Sequence, residues 1–472
     1  MINNYLERQI KENFPYQPTF EQEIAVKSLS AFLLSSEKEV IFVLRGYAGT
    51  GKTSLVGALV KTMDKLQQKA VLLAPTGRAA KVFSAYAGHP AFTIHKKIYR
   101  QQSFSNEVSN FSVSDNLAAH TLFIVDEASM ISNGGLSGSI FGTGRLLDDL
   151  VQFVYSGEGC RLLLMGDTAQ LPPVGEEQSP ALFTDALQGY GLAVQEVDLT
   201  QVVRQVQDSG ILWNATELRK LIAAGDCSAL PRFKVVGFAD ICVVPGDELI
   251  ELLTSCYEKD GMEETIVVCR SNKRANIYNK GIRAQILYRE DELNTGDMLM
   301  VAKNNYYWTE PYKDMEFIAN GEVAVVRRVR RTREMYGFRF ATVQLSFPDH
   351  GDFELEADLL LDALSTDAPA LPKADNDRLF YAVLEDYADI PLKRDRTKKM
   401  KADPHYNALQ VKYAYAITCH KAQGGQWQNV FLDQGYMTDE FLTPDYFRWL
   451  YTAFTRATKT LYLVNYPKNQ IL

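Results

Sequence analysis

The chain has 472 residues, too many for one hydrophobic core, and the usual domain size divides it into about three domains. Hydrophobic and charged fractions of 46% and 23% exclude a disordered or fibrous chain, and a net charge of −8 excludes bulk coating of nucleic acid, so any such contact must sit in local basic channels. No apolar run approaches the 18 or so residues of a membrane span. The start, Met1 to Arg8, lacks the apolar stretch of a secretion signal. Cys160, Cys227, Cys242, Cys256, Cys269 and Cys419 form no Cys-x-x-Cys pair, which fits reduced thiols of a cytoplasmic protein rather than a zinc or disulfide framework.

The first predicted strand, 40–44 (Val-Ile-Phe-Val-Leu), runs into Gly46-Tyr47-Ala48-Gly49-Thr50-Gly51-Lys52-Thr53 and then an apolar helical stretch. This is a phosphate-binding loop in its proper context. Glycines let backbone N–H groups curl around phosphates, and the helix N-terminus adds positive potential. Lys52 can reach the terminal phosphates and Thr53 can ligate Mg²⁺, so binding of a nucleoside triphosphate is expected.

Further strands are expected at 70–74, 121–125 and 161–165, alternating with helices as in a parallel sheet covered on both faces. Ligand chemistry in such sheets lies at the carboxyl ends of the strands, and each of these ends in a polar cluster. Strand 121–125 ends in Asp126-Glu127: Asp126 suits Mg²⁺, and Glu127 suits orienting and deprotonating the attacking water. Strand 161–165 leads to Gly166-Asp167-Thr168-Ala169-Gln170, where the Gln170 amide can donate to a γ-phosphate oxygen and accept from water. A second α/β pattern begins at 265–269 and resumes near 413–417. Between them, about 292–404, lie strand-like runs such as 339–347, a Pro- and Asp-rich loop and basic clusters. Arg327, Arg328, Arg330, Arg331, Arg333 and Arg339 form one cluster, and the 393–401 stretch forms the other; both are read as phosphate-contacting surface.

With these motifs in order, the sequence resembles the superfamily 1 DNA helicases, specifically the RecD/Dda-like 5′→3′ group of RecD-like AAA-type ATPases. Thr19-Phe20-Glu21-Gln22 resembles the adenine-reading element, with Gln22 toward the base. Ala74-Pro75-Thr76-Gly77-Arg78 and Thr93-Ile94-His95 resemble the strand-contacting motifs of the first motor domain. Arg204, in Val203-Arg204-Gln205, resembles a phosphate-sensing arginine. Thr418-Cys419-His420-Lys421-Ala422-Gln423-Gly424-Gly425 and Tyr451-Thr452-Ala453-Phe454-Thr455-Arg456 resemble the last two motifs. Gln426 follows the glycine pair, where many relatives carry an acid, so a ribose contact there would be a neutral hydrogen bond.

The resemblance implies an α/β fold: two RecA-like parallel-sheet P-loop domains with an inserted small, mainly β, SH3-like module. The first domain is expected over 1–205, with a short hairpin insertion about 97–117. The second is expected over 206–291 and 405–472, and the inserted module over 292–404. It implies an ATP-dependent DNA helicase moving 5′→3′ on single strands. Lys52, Glu127, Gln170, Arg204 and Arg456 are the expected catalytic residues. Gln22, Gly46, Ala48, Gly49, Thr50, Gly51, Lys52, Thr53 and Gln426 are expected to bind ATP, and Thr53 and Asp126 to hold Mg²⁺. Pro75, Thr76, Thr93, His95, Thr418 and His420 are expected to grip the strand. Expected partners are single-stranded and tailed duplex DNA, together with replication or repair proteins; a monomer and no membrane are expected. An RNA-directed helicase and a nucleotide-switched clamp that does not unwind stay open as alternatives. The 97–117 segment is expected to split the duplex, with Tyr99, Phe104 and Phe111 offering faces to the terminal base pair; the alternative is a surface loop whose aromatics cover the sheet below.

Overall fold

The computed structural model describes residues 2–101, 111–135, 141–203, 208–312, 315 and 317–472. Strands β1 (Val40–Gly46), β2 (Lys69–Ala74) and β3 (Ala91–Thr93) open the first domain. A small hairpin follows, β4 (Tyr99–Gln101) and β5 (Phe111–Val113), before β6 (Thr121–Val125), β7 (Arg161–Gly166) and β8 (Ala193–Leu199). Apart from the hairpin these make one parallel sheet in the order β3-β2-β6-β7-β1-β8. Val40 to Leu44 and Thr121 to Val125 are buried throughout, because helices cover both faces and leave no polar side to alternate with. The order places β6, β7 and β1 side by side, so the P-loop, Asp126-Glu127 and the Asp167–Leu171 loop converge at one sheet edge.

The second domain is a parallel sheet of β9 (Ile241–Val244), β10 (Thr265–Cys269), β16 (Ala416–Thr418), β17 (Trp427–Asp433) and β18 (Ala457–Val464), ordered β16-β10-β17-β18-β9. Between β10 and β16 the chain builds a closed barrel from β11 (Met298–Val301), β12 (Val323–Met335), β13 (Phe338–Phe347), β14 (Phe353–Leu360) and β15 (Leu409–Tyr413).

Two expectations are corrected. The second domain resumes after Tyr413 rather than at 405: β15 still closes the barrel, and the chain enters the second sheet only at β16. The crossing is pinned by Tyr415, whose hydroxyl accepts from Met298 N at 3.1 Å and donates to Asp297 Oδ1 at 3.1 Å. A continuous apolar run carries no signal for a change of sheet. The inserted module is also less purely β than expected. Helices Lys373–Glu385 and Lys393–Lys401 pair outside the barrel, seating Leu379, Val383 and Met400 on Phe338, Phe340 and Leu360.

The β4–β5 hairpin lies within the expected insertion, but its aromatic residues do not face outward. Tyr99 and Phe111 are 2% and 5% exposed, packed with Phe141 and Phe317. The Tyr99 hydroxyl donates to buried Asp149 at 2.7 Å. Both rings are therefore core residues that anchor the hairpin base, and neither can stack on a base pair. Phe104 lies outside the described residues.

Candidate active site and nucleic-acid cleft

The P-loop turns through Gly49 and Gly51, at φ 78° and 84°, in the left-handed region that favours glycine. A Cβ on Gly51 would stand 2.6 Å from Gln22 Nε2, and one on Gly46 would stand 2.8 Å from Thr50 Oγ1. The Lys52 ammonium folds back onto the loop, donating to the carbonyl of Gly46 and, at 3.1 Å, to that of Tyr47. Thr53 lies in the first turn of helix Lys52–Lys65, and Ala48 and Thr50 complete the loop. Gln22 does not stand free for a base. Its Oε1 accepts from Thr19 N (3.0 Å) in a capping box, and its Nε2 donates to Thr50 O (2.9 Å), so the amide ties helix Phe20–Leu34 to the P-loop.

Asp126 and Glu127 stand opposite the loop. Glu127 adopts φ 52°, ψ 39°, a strained conformation for a residue with a Cβ, and its N–H donates to Asp126 Oδ1 at 2.7 Å. Burial, then the charge of Glu127, pushes the Asp126 carboxyl up to about 7, against the pull of Lys52 and Arg456. A carboxylate desolvated in this way is suited to a divalent cation, whose charge would restore its ionised form. Gln170 is buried, and its Oε1 has no hydrogen-bond partner, an orphaned acceptor beside the loop. Oxygen donors on Thr53 and Asp126, the glycine cradle and this orphan together fit Mg²⁺ and a triphosphate.

Arg456 belongs to the second domain. It is 3% exposed and anchored by bonds from Nε to Thr452 O (3.0 Å) and from an η nitrogen to Gly425 O (3.1 Å); the same η nitrogen lies 3.8 Å from Glu127. Arg204 falls outside the described residues. Gln426 is not directed at a ribose: its Oε1 accepts from Tyr86 OH at 3.1 Å, tying it to helix Gly77–Ala87 of the first domain.

Sequence reasoning missed the residues that join the domains behind the site. The Tyr451 hydroxyl accepts from Ala48 N (2.9 Å) and donates to Asp167 Oδ2 (2.6 Å). Arg448 donates to Thr168 O (2.6 Å), Thr452 accepts from Leu171 N (2.9 Å), and Gln423 donates to Leu171 O (2.8 Å). Residues 448, 451 and 452 share one face of helix Pro444–Phe454 by their spacing, but nothing in that spacing names the partner.

The candidate strand residues divide into two groups. Pro75 and His95 line a cleft of about 1400 Å³ between the first domain, the barrel and helix Lys393–Lys401. Its lining includes His95, Tyr99 and Phe141 of the first domain and Lys393, Arg394, Lys398 and Lys401 of that helix. His95 packs against both Tyr99 and Phe141, and burial pushes its imidazole down to about 4, leaving it neutral. Thr76 and Thr93 cap helices, accepting from Ala79 N and Lys96 N, so each hydroxyl keeps its hydrogen to donate. Thr418 and exposed His420 lie on the second domain; Thr418 lines a small pocket with Lys421, whose pKa burial pushes down to about 8. The arginine cluster of β12 is corrected. Arg327, Arg330 and Arg333 face an acidic ladder on β14, pairing with Glu354 (3.9 Å), Glu356 (2.6 Å) and Asp358 (2.5 Å). Arg339 pairs with Glu292 (2.5 Å), so most of that charge is neutralised within the barrel.

Two RecA-like sheets meeting across a P-loop, with an arginine from one approaching the acid of the other, define a tandem P-loop fold with a shared nucleotide site. Residues 21–237 match the AAA domain family, and residues 413–464 match the UvrD-like helicase C-terminal domain. The chain is 32% identical over 173 residues to the ATP-dependent RecD2 DNA helicase of Deinococcus radiodurans, covering 36% of this chain and 21% of that protein. It is 24% identical to the ATP-dependent DNA helicase dda of Enterobacteria phage T4, over 56% of this chain and 57% of that protein. An uncharacterized protein of Acanthamoeba polyphaga mimivirus is 21% identical over 93% of this chain and 98% of its own length. The chain thus spans nearly all of the viral protein but well under two thirds of the two helicases. Among solved structures, Pif1 helicases studied for unwinding at forked duplex DNA share 17% identity, with 96% of this chain and 94% of that one covered, at a TM-score of 0.48. A Bacteroides Pif1 helicase in complex with ADP-AlF3 and single-stranded DNA shares 15% over 96% and 94%, at a TM-score of 0.46. In sequence the chain thus resembles the RecD2 and dda helicases, and its two matched regions are an AAA domain and a UvrD-like helicase C-terminal domain.

Proposed function

We infer that the protein is an ATP-dependent DNA helicase, moving 5′→3′ on a single strand and parting duplex ahead of it. One observation carries the reading: the ATPase site is divided between domains, with Arg456 of the second 3.8 Å from Glu127 of the first. Such a site is complete only when the cleft is closed, which makes hydrolysis a switch of domain closure.

Lys52 and the P-loop amides hold the β- and γ-phosphates of ATP. Thr53 and Asp126 would hold Mg²⁺, which would neutralise phosphate charge. Glu127 takes the proton of the attacking water, Gln170 orients that water, and Arg456 stabilises charge on the transferring oxygens. The large cleft supplies the track: the half-buried His95 for a base, and the ammonium and guanidinium groups of helix Lys393–Lys401 for phosphates, a sequence-independent grip. Strand displacement on duplexes with a 5′ or a 3′ tail tests the reading. Unwinding from the 5′ tail supports it and unwinding only from the 3′ tail reverses the direction. Strand-stimulated hydrolysis without unwinding indicates a clamp, and stimulation by RNA rather than DNA oligonucleotides indicates an RNA-directed motor.

A further inference from the structure

The Asp167–Leu171 loop carries Gln170, the candidate partner of the γ-phosphate, yet much of what fixes that loop comes from the other motor domain. Within the loop, Asp167 Oδ1 accepts from Ala169 N at 2.9 Å. Its remaining oxygen accepts from Tyr451, Thr168 O accepts from Arg448, and Leu171 N donates to Thr452. These three residues occupy one face of helix Pro444–Phe454, at positions i, i+3 and i+4. Tyr451 is 1% exposed, and its hydroxyl has one hydrogen to give. That hydrogen goes to Asp167, while the oxygen accepts the N–H of Ala48 at the start of the P-loop. One phenol thus sets the spacing between the loop that holds the phosphates and the loop that carries Gln170.

We propose that the polar face of this helix, with Tyr451 at its centre, is the positioning element that places Gln170 against the γ-phosphate. The inference rests on the ATPase reading above. Arg456 lies two residues beyond the same helix and approaches Glu127. Closure therefore delivers two things through one rigid body: the arginine to the transferring phosphoryl group, and the correct setting of the glutamine. Gln423, which donates to Leu171 O, comes just after the short helix bearing His420, so the strand-gripping side touches the same loop. The geometry gives strand binding a direct mechanical route to hydrolysis. A displacement of about 1 Å at a reacting group can cost about a hundredfold in rate, so loss of one strut should show clearly.

The test is steady-state ATP hydrolysis by the full chain with an oligothymidine strand, using Tyr451→Phe, Thr452→Val, Gln170→Ala and the double variant Tyr451→Phe/Gln170→Ala. Tyr451→Phe keeps the ring and removes only the oxygen; kcat is expected to fall about tenfold or more, with KM for ATP changed less than about threefold. In the Gln170→Ala background the same change should cost less than about twofold, because the residue through which Tyr451 acts is gone. Thr452→Val, which loses only the bond to Leu171 N, should fall in the same direction and carries the test if Tyr451→Phe melts early. An unchanged kcat, a raised KM with kcat intact, or an equal loss in both backgrounds would overturn the proposal. The two levels separate cleanly. A wild-type protein without strand-stimulated hydrolysis sinks the motor reading itself, whereas an active wild type with indifferent variants sinks only the role of this helix face.

Discussion

Arg78 of the first motor domain lies over Trp427 of the second, its guanidinium carbon 4.2 Å from the ring centroid. The same side chain donates from an η nitrogen to Gln426 O at 3.1 Å, while its Nε is buried without a partner. The contact therefore combines a favourable cation–π stack with a desolvation cost, and burial holds the guanidinium pKa below its usual value. Offsetting contributions of this kind suit an interface that opens and closes in every cycle.

The glycine pair before Gln426 permits that approach. Gly424 has φ +72°, and a Cβ there would meet Ala79 Cβ at 2.8 Å. Gly424→Ala should keep the cleft ajar, leaving nucleotide binding intact while strand-stimulated hydrolysis falls about tenfold or more. Titration of a fluorescent nucleotide beside a hydrolysis assay checks this. Equal stimulation of variant and parent would show that the domains close without this contact.

Glu127 and Arg456 approach within 3.8 Å from opposite domains, and the proposed function assigns both to the hydrolysis step. Glu127→Gln should bind ATP with near-parent affinity and lose turnover, since the amide accepts no proton from water. Arg456→Ala should lower kcat by about a thousandfold with little change in nucleotide affinity, and Arg456→Lys should not restore it, because the fork that reaches Gly425 O and Thr452 O is lost. Near-normal turnover in Glu127→Gln would remove it as the base.

The catalytic strands were legible because their motifs are local: an apolar run ending in Gly46–Thr53 or Asp126-Glu127 describes its own surroundings. Gln170 was read from the polar end of strand 161–165, and Arg456 only through the resemblance. What stayed hidden depends on contacts distant in sequence. Tyr99 and Phe111 read as exposed stacking faces, yet pack on Phe141, a residue some thirty or more positions on in the chain. The arginines of β12 read as a phosphate surface because their acidic partners stand on β14, across an intervening strand. Tyr451 stood in the last motif without a role of its own, and only the closed cleft brings its oxygen to Ala48 and Asp167.

The other basic cluster keeps its charge. Helix Lys393–Lys401 turns Lys393, Arg394, Lys398 and Lys401 into the large cleft. Replacing all four by Gln should weaken strand binding at low salt and reduce the slope of log K against log salt by up to about 3, at roughly 0.7 per phosphate contact on a single strand. Fluorescence anisotropy across a salt series gives the slope. An unchanged slope would mean that the strand does not pass along this wall.

His95 links the cleft to protein stability. Its imidazole sits against Tyr99 and Phe141, and burial pushes its pKa down to about 4 from an ordinary value of 6.5. Between those two values the unfolded chain binds the proton that the folded protein refuses, so the folded state loses ground as pH falls through that window and is unaffected above it. The wild type should therefore lose more melting temperature between about pH 7 and pH 5 than His95→Gln, which has no proton to take up. Other groups titrate over the same range, Asp126 among them, and the comparison cancels them because they are common to both proteins. Strand affinity should not rise as pH drops through 6.5, since a neutral ring contributes stacking rather than charge. Parallel melting curves for the two proteins, together with strand binding that strengthens on acidification, would mean that His95 takes up its proton in the folded state and contacts phosphate as a cation.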